Sequence, residues 1–275
     1  MSQKSSLVKT PQCVPRVLTS DSVYQDILSI GNATNFQESF LFIDNATNQL
    51  HFQIRGIGTR AQSTTTVTDG QWHHVAVVHD GSTNIQLYID GIADGSATTT
   101  DFNNINITGT GARIGTQSTN LQEFFNGQID EVRIWNDART AAEIRDNMNI
   151  ALEGQDANLV AAYSFDRDAT GSTGTVLNEQ GTTALNGTRT NGATVEKSET
   201  APVNEMPKPL GGVTGDVLSL DGSNDYLEVP DSVLNNRSTG TIEAWVFLNN
   251  TSETITAKQH DGGLQRRRQF WRRCR

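Results

Sequence analysis

Residues 69–91 read DGQWHHVAVVHDGSTNIQLYIDG and decide the class of fold. Apolar and polar residues alternate in WHHVAVVH and in NIQLYID, and DGST separates these two runs. Alternation of this kind is typical of β-strands, and Asp-Gly between two alternating runs is the strongest short-range signal for a hairpin. The stretch therefore predicts two antiparallel strands.

The same stretch holds three of the five histidines of the chain. Successive side chains of a strand point to opposite faces, so His73 and His74 cannot bind one metal ion together. His73 and His79 share a face, but at roughly 3.3 Å per residue they lie about 20 Å apart. The metal-binding spacings His-x-His and His-x-x-x-His are both missing. We therefore interpret these histidines as structural residues, and not as metal ligands or catalytic groups.

Outward from the hairpin, further alternating runs predict more strands. QDILSIG, SFLFID and QLHFQIR precede it, ARIGT and NGQIDEVRIW follow it, and DVLSLDGSNDYLEVP and TIEAWVFLNN come near the end. One helix is predicted near 140–148, where Thr140 and Glu143 have the spacing of a capping box and Ile144 and Met148 form an apolar stripe. The pattern predicts an all-β protein with one short helix.

The overall charge and the apolar runs exclude two classes of partner. The formal net charge is −10 and the pI is about 4.9, which argues against binding a polyanion such as a nucleic acid. No apolar run approaches the roughly 20 residues that a membrane-spanning helix needs, so we expect no membrane insertion. The first 23 residues lack the apolar core of a signal peptide, so this reading frame shows no export signal.

Three motifs occur together and in order: WHHVAVVH, then LYIDG, then NGQIDEVRIW. This combination resembles the laminin G-like jelly-roll domains of the concanavalin A-like lectin and glucanase superfamily, and the resemblance covers residues 24–150. It implies an antiparallel two-sheet jelly-roll sandwich. It also implies a protein that is secreted or on the cell surface. LVAAYSFD and the two runs near the end resemble the opening of a further copy.

The resemblance divides the chain into segments and suggests a fragment of a multi-repeat protein. We expect a disordered leader (1–23), followed by a laminin G-like jelly roll that lacks its first strands (24–150). A connector (151–212) then leads to the opening strands of a second copy (213–260). The chain ends in a basic tail (261–275), which we interpret as an artefact of a frameshift or truncation. The strands within 217–248 either begin that second copy or complete the first domain as in a circular permutant.

The resemblance also implies a structural calcium site. In similar jelly rolls an ion is held between the Asp-Gly turn of the first strand and an Asp of the last strand, which here gives Asp130, Asp221 and Gly222 as ligands. The alternative is that Asp221 and Gly222 are turn-forming residues and that Asp130 is a hydrogen-bonded strand residue.

The residues favour a non-catalytic function. Glucanase relatives carry two carboxylates on one strand as Glu-x-Asp-x-x-Glu, and this run is missing here. Asp130 and Glu131 are adjacent, so we expect them to face opposite ways. The prediction is a binding or adhesion module for a glycan or an extracellular protein. The alternatives are a glycoside hydrolase and a purely structural spacer.

No ligand-binding residue can be named from the sequence. Tryptophans at strand positions in such folds are mostly core residues, so we expect three of them to be buried: Trp72, Trp135 and Trp245. Loop residues near Tyr24, Phe36 and Phe102 are alternatives that the sequence does not rank.

Overall fold

Antiparallel strands dominate the computed structural model of this chain, which describes residues 24–32, 37–55, 59–98, 111–119, 121–152, 156–198, 200–202, 215–234 and 239–249. The strands are β1 (Tyr24–Asn32), β2 (Gln37–Asp44), β3 (Gln49–Arg55), β4 (Thr59–Thr66), β5 (His73–His79), β6 (Asn84–Ile89), β7 (Ile92–Thr98), β8 (Ala112–Ile114), β9 (Asn126–Trp135), β10 (Leu159–Tyr163), β11 (Thr175–Val176), β12 (Gly187–Thr190), β13 (Thr194–Ser198), β14 (Gly215–Asp221), β15 (Tyr226–Val229) and β16 (Gly240–Leu248). One helix, α1 (Ala141–Asn147), follows β9.

These strands form two sheets. The first sheet has the order β11, β12, β15, β8, β1, β2, β3, β4, and the second has the order β13, β14, β9, β16, β5, β6, β7. Strand β10 pairs with the far half of β9, beyond the part of β9 that pairs with β14. The prediction of an all-β, antiparallel two-sheet sandwich with one short helix is confirmed.

The side chains of β16 alternate between the core and the outer face of the second sheet. Ala244, Val246 and Leu248 are buried in the core between the sheets. Trp245 and Phe247 occupy the alternate positions and therefore lie on the outer face. The same alternation in β5 sends Val75 and Val77 into the core.

Helix α1 covers part of the outer face of the second sheet. The capping box is present, because the Thr140 hydroxyl accepts from the backbone N–H of Glu143 and the Glu143 carboxylate accepts from the backbone N–H of Thr140. Ile144 is buried against Ala76 and Val78 of β5. Met148 lies at the C-terminal cap and is only partly buried. Of the two residues in the predicted apolar stripe, Ile144 is therefore the one that is buried.

The segment 151–212, interpreted as a connector, instead contributes four strands. Strands β10, β12 and β13 pair with β9, β15 and β14, and β11 pairs with β12. These strands have two to five residues and are separated by turns rich in Gly, Thr and Asn, so their alternation is too short to recognise. The prediction of a connector is therefore wrong for residues 159–198.

The strands of residues 215–248 lie in the same two sheets as those of residues 24–135. Strand β16 lies between β5 and β9, β14 pairs with β9, and β15 pairs with β8. This is the arrangement expected if these strands complete the first domain. The predicted leader 1–23 and tail 261–275 lie outside the described residues.

Candidate functional site

The adjacent histidines of β5 have separate surroundings. His73 is partly buried, with Nδ1 2.9 Å from an Asp90 carboxylate oxygen and Nε2 3.1 Å from an Asp69 carboxylate oxygen. His74 lies on the outer face, with its ring edge-on to Trp245 at a centroid distance of 5.4 Å. Burial, reinforced by the nearby positive charge of Arg133, lowers the pKa of His74 to about 3, so this ring is neutral at physiological pH.

A buried charged network surrounds His74 on the outer face of the second sheet. Arg133 contacts the Glu131 carboxylate at 2.7 Å and lies 3.9 Å from that of Glu243. The Glu243 carboxylate also accepts from the Trp135 indole N–H at 2.9 Å. Arg133 donates further to the carbonyl oxygens of Asn147 and Ile150, at 3.0 and 2.6 Å. The network thus attaches the end of α1 and the following turn to the sheet.

The alternation of β9 breaks beside this network. Glu131 has φ +49°, in the left-handed region, and the register between β9 and β16 shifts at this point. Both Asp130 and Glu131 are buried. The expectation that these neighbours simply alternate across a regular strand is therefore wrong, because a bulge inserts a residue there.

The three residues predicted to bind calcium do not form one site. Asp221 pairs with Asn126, four residues before Asp130 on β9, which corresponds to about 13 Å along the strand. Gly222 has φ +77° and lies against Asn126, so it serves the turn. Among the described residues, no group of three or more His, Cys, Asp or Glu residues could hold a metal ion. The calcium ligand set given by the resemblance stays a prediction, and the strand register does not support it.

Asp130 nevertheless has an unusual environment. Its Oδ1 accepts from the backbone N–H of Glu131, while its Oδ2 has no hydrogen-bond partner among the described residues. Burial raises the pKa of Asp130 well above 3.8, and the charges of Glu131 and Asp166 add to this effect. The folded protein therefore favours the protonated acid.

We predict that Asp130→Asn stabilises the protein at pH 7 by about 1–3 kcal/mol, because a buried carboxylate costs free energy that a neutral amide avoids. The folded-state pKa is raised, so the wild type loses stability as the pH rises from about 4 towards that pKa. The advantage of Asp130→Asn should therefore vanish near pH 4. Thermal melts across this range test it, with the exposed Asp146→Asn as control.

The same melts, run in calcium and in chelator, test the calcium hypothesis. We expect the same stabilisation by Asp130→Asn in both, since Asp221 and Gly222 lie elsewhere. If calcium reverses the effect, so that Asp130→Asn melts below the wild type only when calcium is present, Asp130 is a ligand after all.

A partly exposed aromatic pair lies on the outer face of the second sheet, next to the start of β5. The rings of Trp72 and Phe247 have centroids 5.7 Å apart, at an interplanar angle of 48°. Trp72 Nε1 donates to the Thr200 hydroxyl at 3.3 Å. Both aromatic side chains are only partly buried, whereas Trp135 and Trp245 are buried. The prediction of burial therefore holds for Trp135 and Trp245, although neither belongs to the core between the sheets, and it is wrong for Trp72.

Polar side chains extend this pair across the sheet. Gln128 of β9 pairs with Phe247 of β16, and its amide donates to the Glu196 carboxylate of β13 at 3.1 Å. Strand β14 lies between β9 and β13, so the two side chains bridge across it. We call these five residues the Trp72 strip: Trp72, Phe247, Gln128, Glu196 and Thr200. The strip places two aromatic rings beside an amide and a carboxylate on a surface open to solvent.

Only part of the strip could be found from the sequence. Phe247 is a large apolar residue that the sequence predicts to be buried, yet it alternates with the core residues of TIEAWVFL and is only partly buried on the outer face. Gln128 and Glu196 come together only because β14 joins both β9 and β13, which no local pattern reveals. Of the other candidates, Tyr24 packs against Phe42 at 4.9 Å, and residues 36 and 102 lie outside the described residues.

Comparison with protein families gives one match. Residues 16–145 match the laminin G family model described as the concanavalin A-like lectin/glucanases superfamily. Neither the comparison with curated proteins nor that with solved structures found a match. In the described part of the chain, no helix has the length and apolarity needed to cross a bilayer. Residues 16–145 are thus similar to the laminin G-like domains of the concanavalin A-like superfamily, and the two antiparallel sheets agree with that fold, which supports a binding or structural module in general.

Proposed function

We propose that this protein is a non-catalytic extracellular module that binds an uncharged glycan on the Trp72 strip. The observation that carries the proposal is the contact between two partly exposed aromatic rings that lie beside the Gln128–Glu196 bridge. The match to the laminin G family model supports a binding or structural role in general. The ligand class follows from the chemistry of the strip.

The side chains of the strip suit a sugar. The C–H faces of a pyranose ring pack against aromatic rings such as those of Trp72 and Phe247, and its hydroxyl groups pair with amide and carboxylate oxygens. The apolar part of the strip is two rings, whereas a stable protein interface buries about 800 Å² on each partner. A glycan therefore fits the strip better than a large protein partner does.

The charge of the strip favours an uncharged ligand. Glu196 is the charged member of the strip, and the chain has a net charge of −10. A sulfated or carboxylated glycan would be repelled by both, whereas a neutral sugar can donate hydroxyl protons to the Glu196 carboxylate. We therefore expect neutral glycans to bind more tightly than anionic ones.

The strip favours binding over hydrolysis. Glycoside hydrolases use two carboxyl groups about 5–10 Å apart across the scissile bond. Within the strip Glu196 is the single carboxylate, and it already accepts from Gln128. We expect no release of reducing sugar from any glycan that binds.

We predict that cellohexaose, mannohexaose or chitohexaose binds the wild type and that Trp72→Ala and Phe247→Ala each weaken this binding at least tenfold, or about 1.4 kcal/mol. Calorimetric titration measures the affinity. The control is Ile92→Ala, which removes an apolar side chain that is 70% exposed and lies outside the strip.

Three results would contradict the proposal. Tighter binding of a heparin hexasaccharide than of the neutral sugars would contradict the ligand class. Release of reducing sugar would favour a glycoside hydrolase. Failure of all these sugars to bind would leave a spacer or a protein-binding module as the better description.

A further inference from the structure

Both ring nitrogens of His73 face carboxylate oxygens. Nδ1 lies 2.9 Å from Asp90 and Nε2 lies 3.1 Å from Asp69. A neutral imidazole has one N–H donor, and an ionised carboxylate only accepts. The neutral ring can therefore keep one of these hydrogen bonds but not both. Both contacts together require the protonated ring.

The two carboxylates are held with unequal strength. Asp90 also accepts from the backbone N–H of His74 at 2.9 Å, and its own backbone N–H donates to the His74 carbonyl at 2.8 Å. The side chain of Asp69 is 54% exposed, against 43% for Asp90, and its contact with His73 is the longer of the two. When His73 loses its proton, the contact with Asp69 is therefore the one that breaks.

Asp69 in turn shapes the backbone that carries Trp72. The oxygen that faces His73 also accepts from the backbone N–H of Gln71 at 2.9 Å, which closes a tight turn around Gly70. Gly70 has φ +79°, a conformation that favours glycine. Trp72 follows this turn directly and precedes the first residue of β5. Loss of the His73 contact removes one of the two hydrogen bonds that hold this oxygen, and so loosens the segment that positions Trp72.

We propose that His73 is a positioning residue whose protonation fixes Trp72, so that the Trp72 strip binds its ligand more tightly at acidic than at alkaline pH. The link to binding rests on the proposed function. The link between His73 and Trp72 rests on the hydrogen bonds of residues 69–90 alone.

Few charged groups surround His73. Asp69 of the preceding turn and Asp90 of the turn between β6 and β7 are the ones that act on it, and the paired residue on β16 is Val246. His74 is neutral and points to the other face. Hydrogen bonding to Asp90 is the largest influence and raises the pKa of His73 above 6.5, against the opposing effect of burial.

The link between the protonation of His73 and the position of Trp72 can be tested without a ligand. We expect the ring nitrogens of His73 and the indole Nε1–H of Trp72 to titrate with the same midpoint, above pH 6.5, in ¹⁵N NMR spectra. In His73→Gln the side chain that takes up and loses the proton is absent. The Trp72 signal of this variant should therefore no longer follow the pH.

Binding provides the second measurement. For whichever of the three uncharged hexasaccharides binds, we expect the wild-type affinity to fall about fivefold between pH 5.5 and pH 8.5. His73→Gln should bind equally well at both values, because it has no group at this position that titrates. Melting temperatures at both pH values separate this effect from general instability, because a merely structural His73 would change the melting temperature but not the affinity of the folded protein.

Two results would overturn the inference and leave the proposed function intact. One is a Trp72 signal that stays constant while His73 titrates, and the other is a wild-type affinity that does not change with pH. Lack of binding at every pH would instead overturn the proposed function and the binding step together. The ¹⁵N titration would then still decide whether His73 holds Trp72.

Discussion

Removing everything after Gly212 will abolish the cooperative unfolding of residues 24–150. The deletion takes β16 from between β5 and β9 and so divides the second sheet. It also takes buried side chains from the core, among them Leu218, Leu227 and Val246. Each such side chain contributes about 1.5–3 kcal/mol by burial, while a whole domain is stable by about 5–15 kcal/mol. The remaining strands should therefore not fold by themselves.

The matched control is a chain that ends after Asn250 and keeps all the strands that the structure describes. Circular dichroism melts of the two truncated proteins and the full chain would show the difference. We expect the chain ending after Asn250 to melt cooperatively and the chain ending after Gly212 to show no cooperative transition. A common melting temperature for all three would mean that residues 215–248 do not complete the domain.

Replacing Arg133 by Met will lower the free energy of unfolding by about 3–5 kcal/mol, the usual cost of breaking a buried ion pair. Arg133 is 1% exposed and contacts the carboxylates of Glu131 and Glu243. The substitution leaves these carboxylates buried without their cation. It also removes the hydrogen bonds to the carbonyl oxygens of Asn147 and Ile150, so the end of α1 loses its attachment to the sheet.

Denaturant unfolding of Arg133→Met beside Arg145→Met tests this prediction. Arg145 pairs with Asp146 on the surface, with both side chains more than half exposed, so its loss should cost less than about 0.5 kcal/mol. Burial already raises the pKa of Glu243, so the penalty at Arg133 should shrink at acidic pH as that carboxyl takes up a proton. Equal effects of the two substitutions at pH 7 would contradict the structural role given to the network.

The strands that the sequence predicted well are those with long alternation. In β5 and β16 each face carries at least three residues, and alternate apolar residues such as Val75, Val77 and Val246 are buried in the core. The helix was equally clear, since a capping box depends on residues only three apart. Such local signals can be recognised in the sequence because they do not depend on contacts with distant parts of the fold.

Features that depend on pairing between distant segments were missed. The short strands β10 to β13 become strands because β9, β14 and β15 offer them partners. The bulge at Glu131 has no signal in NGQIDEVRIW, because the buried Glu131–Arg133 pair that accompanies it depends on the fold. The calcium ligands transferred by resemblance stay a prediction, and the register of β14 against β9, which keeps Asp221 and Asp130 apart, is likewise invisible in the local sequence.

The Trp72 strip depends both on local alternation and on pairing between distant segments. Trp72 lies one residue before β5 and was expected in the core, yet its partner Phe247 is on the outer face. Whether an aromatic residue at a strand end is buried depends on what covers that end. In the described part of the chain, α1 and the turn after it lie over Val78 and Trp245, and not over Trp72.

The most direct test of the proposed function is the indole N–H region of a ¹⁵N NMR spectrum during titration with the neutral hexasaccharides. A Trp72→Phe variant assigns the Trp72 signal. We predict a saturable shift of that signal, while those of Trp135 and Trp245 stay in place because their N–H groups donate to Glu243 and to the Met148 carbonyl. Saturable binding that leaves the Trp72 signal unchanged, or no binding of any neutral hexasaccharide, would contradict the account.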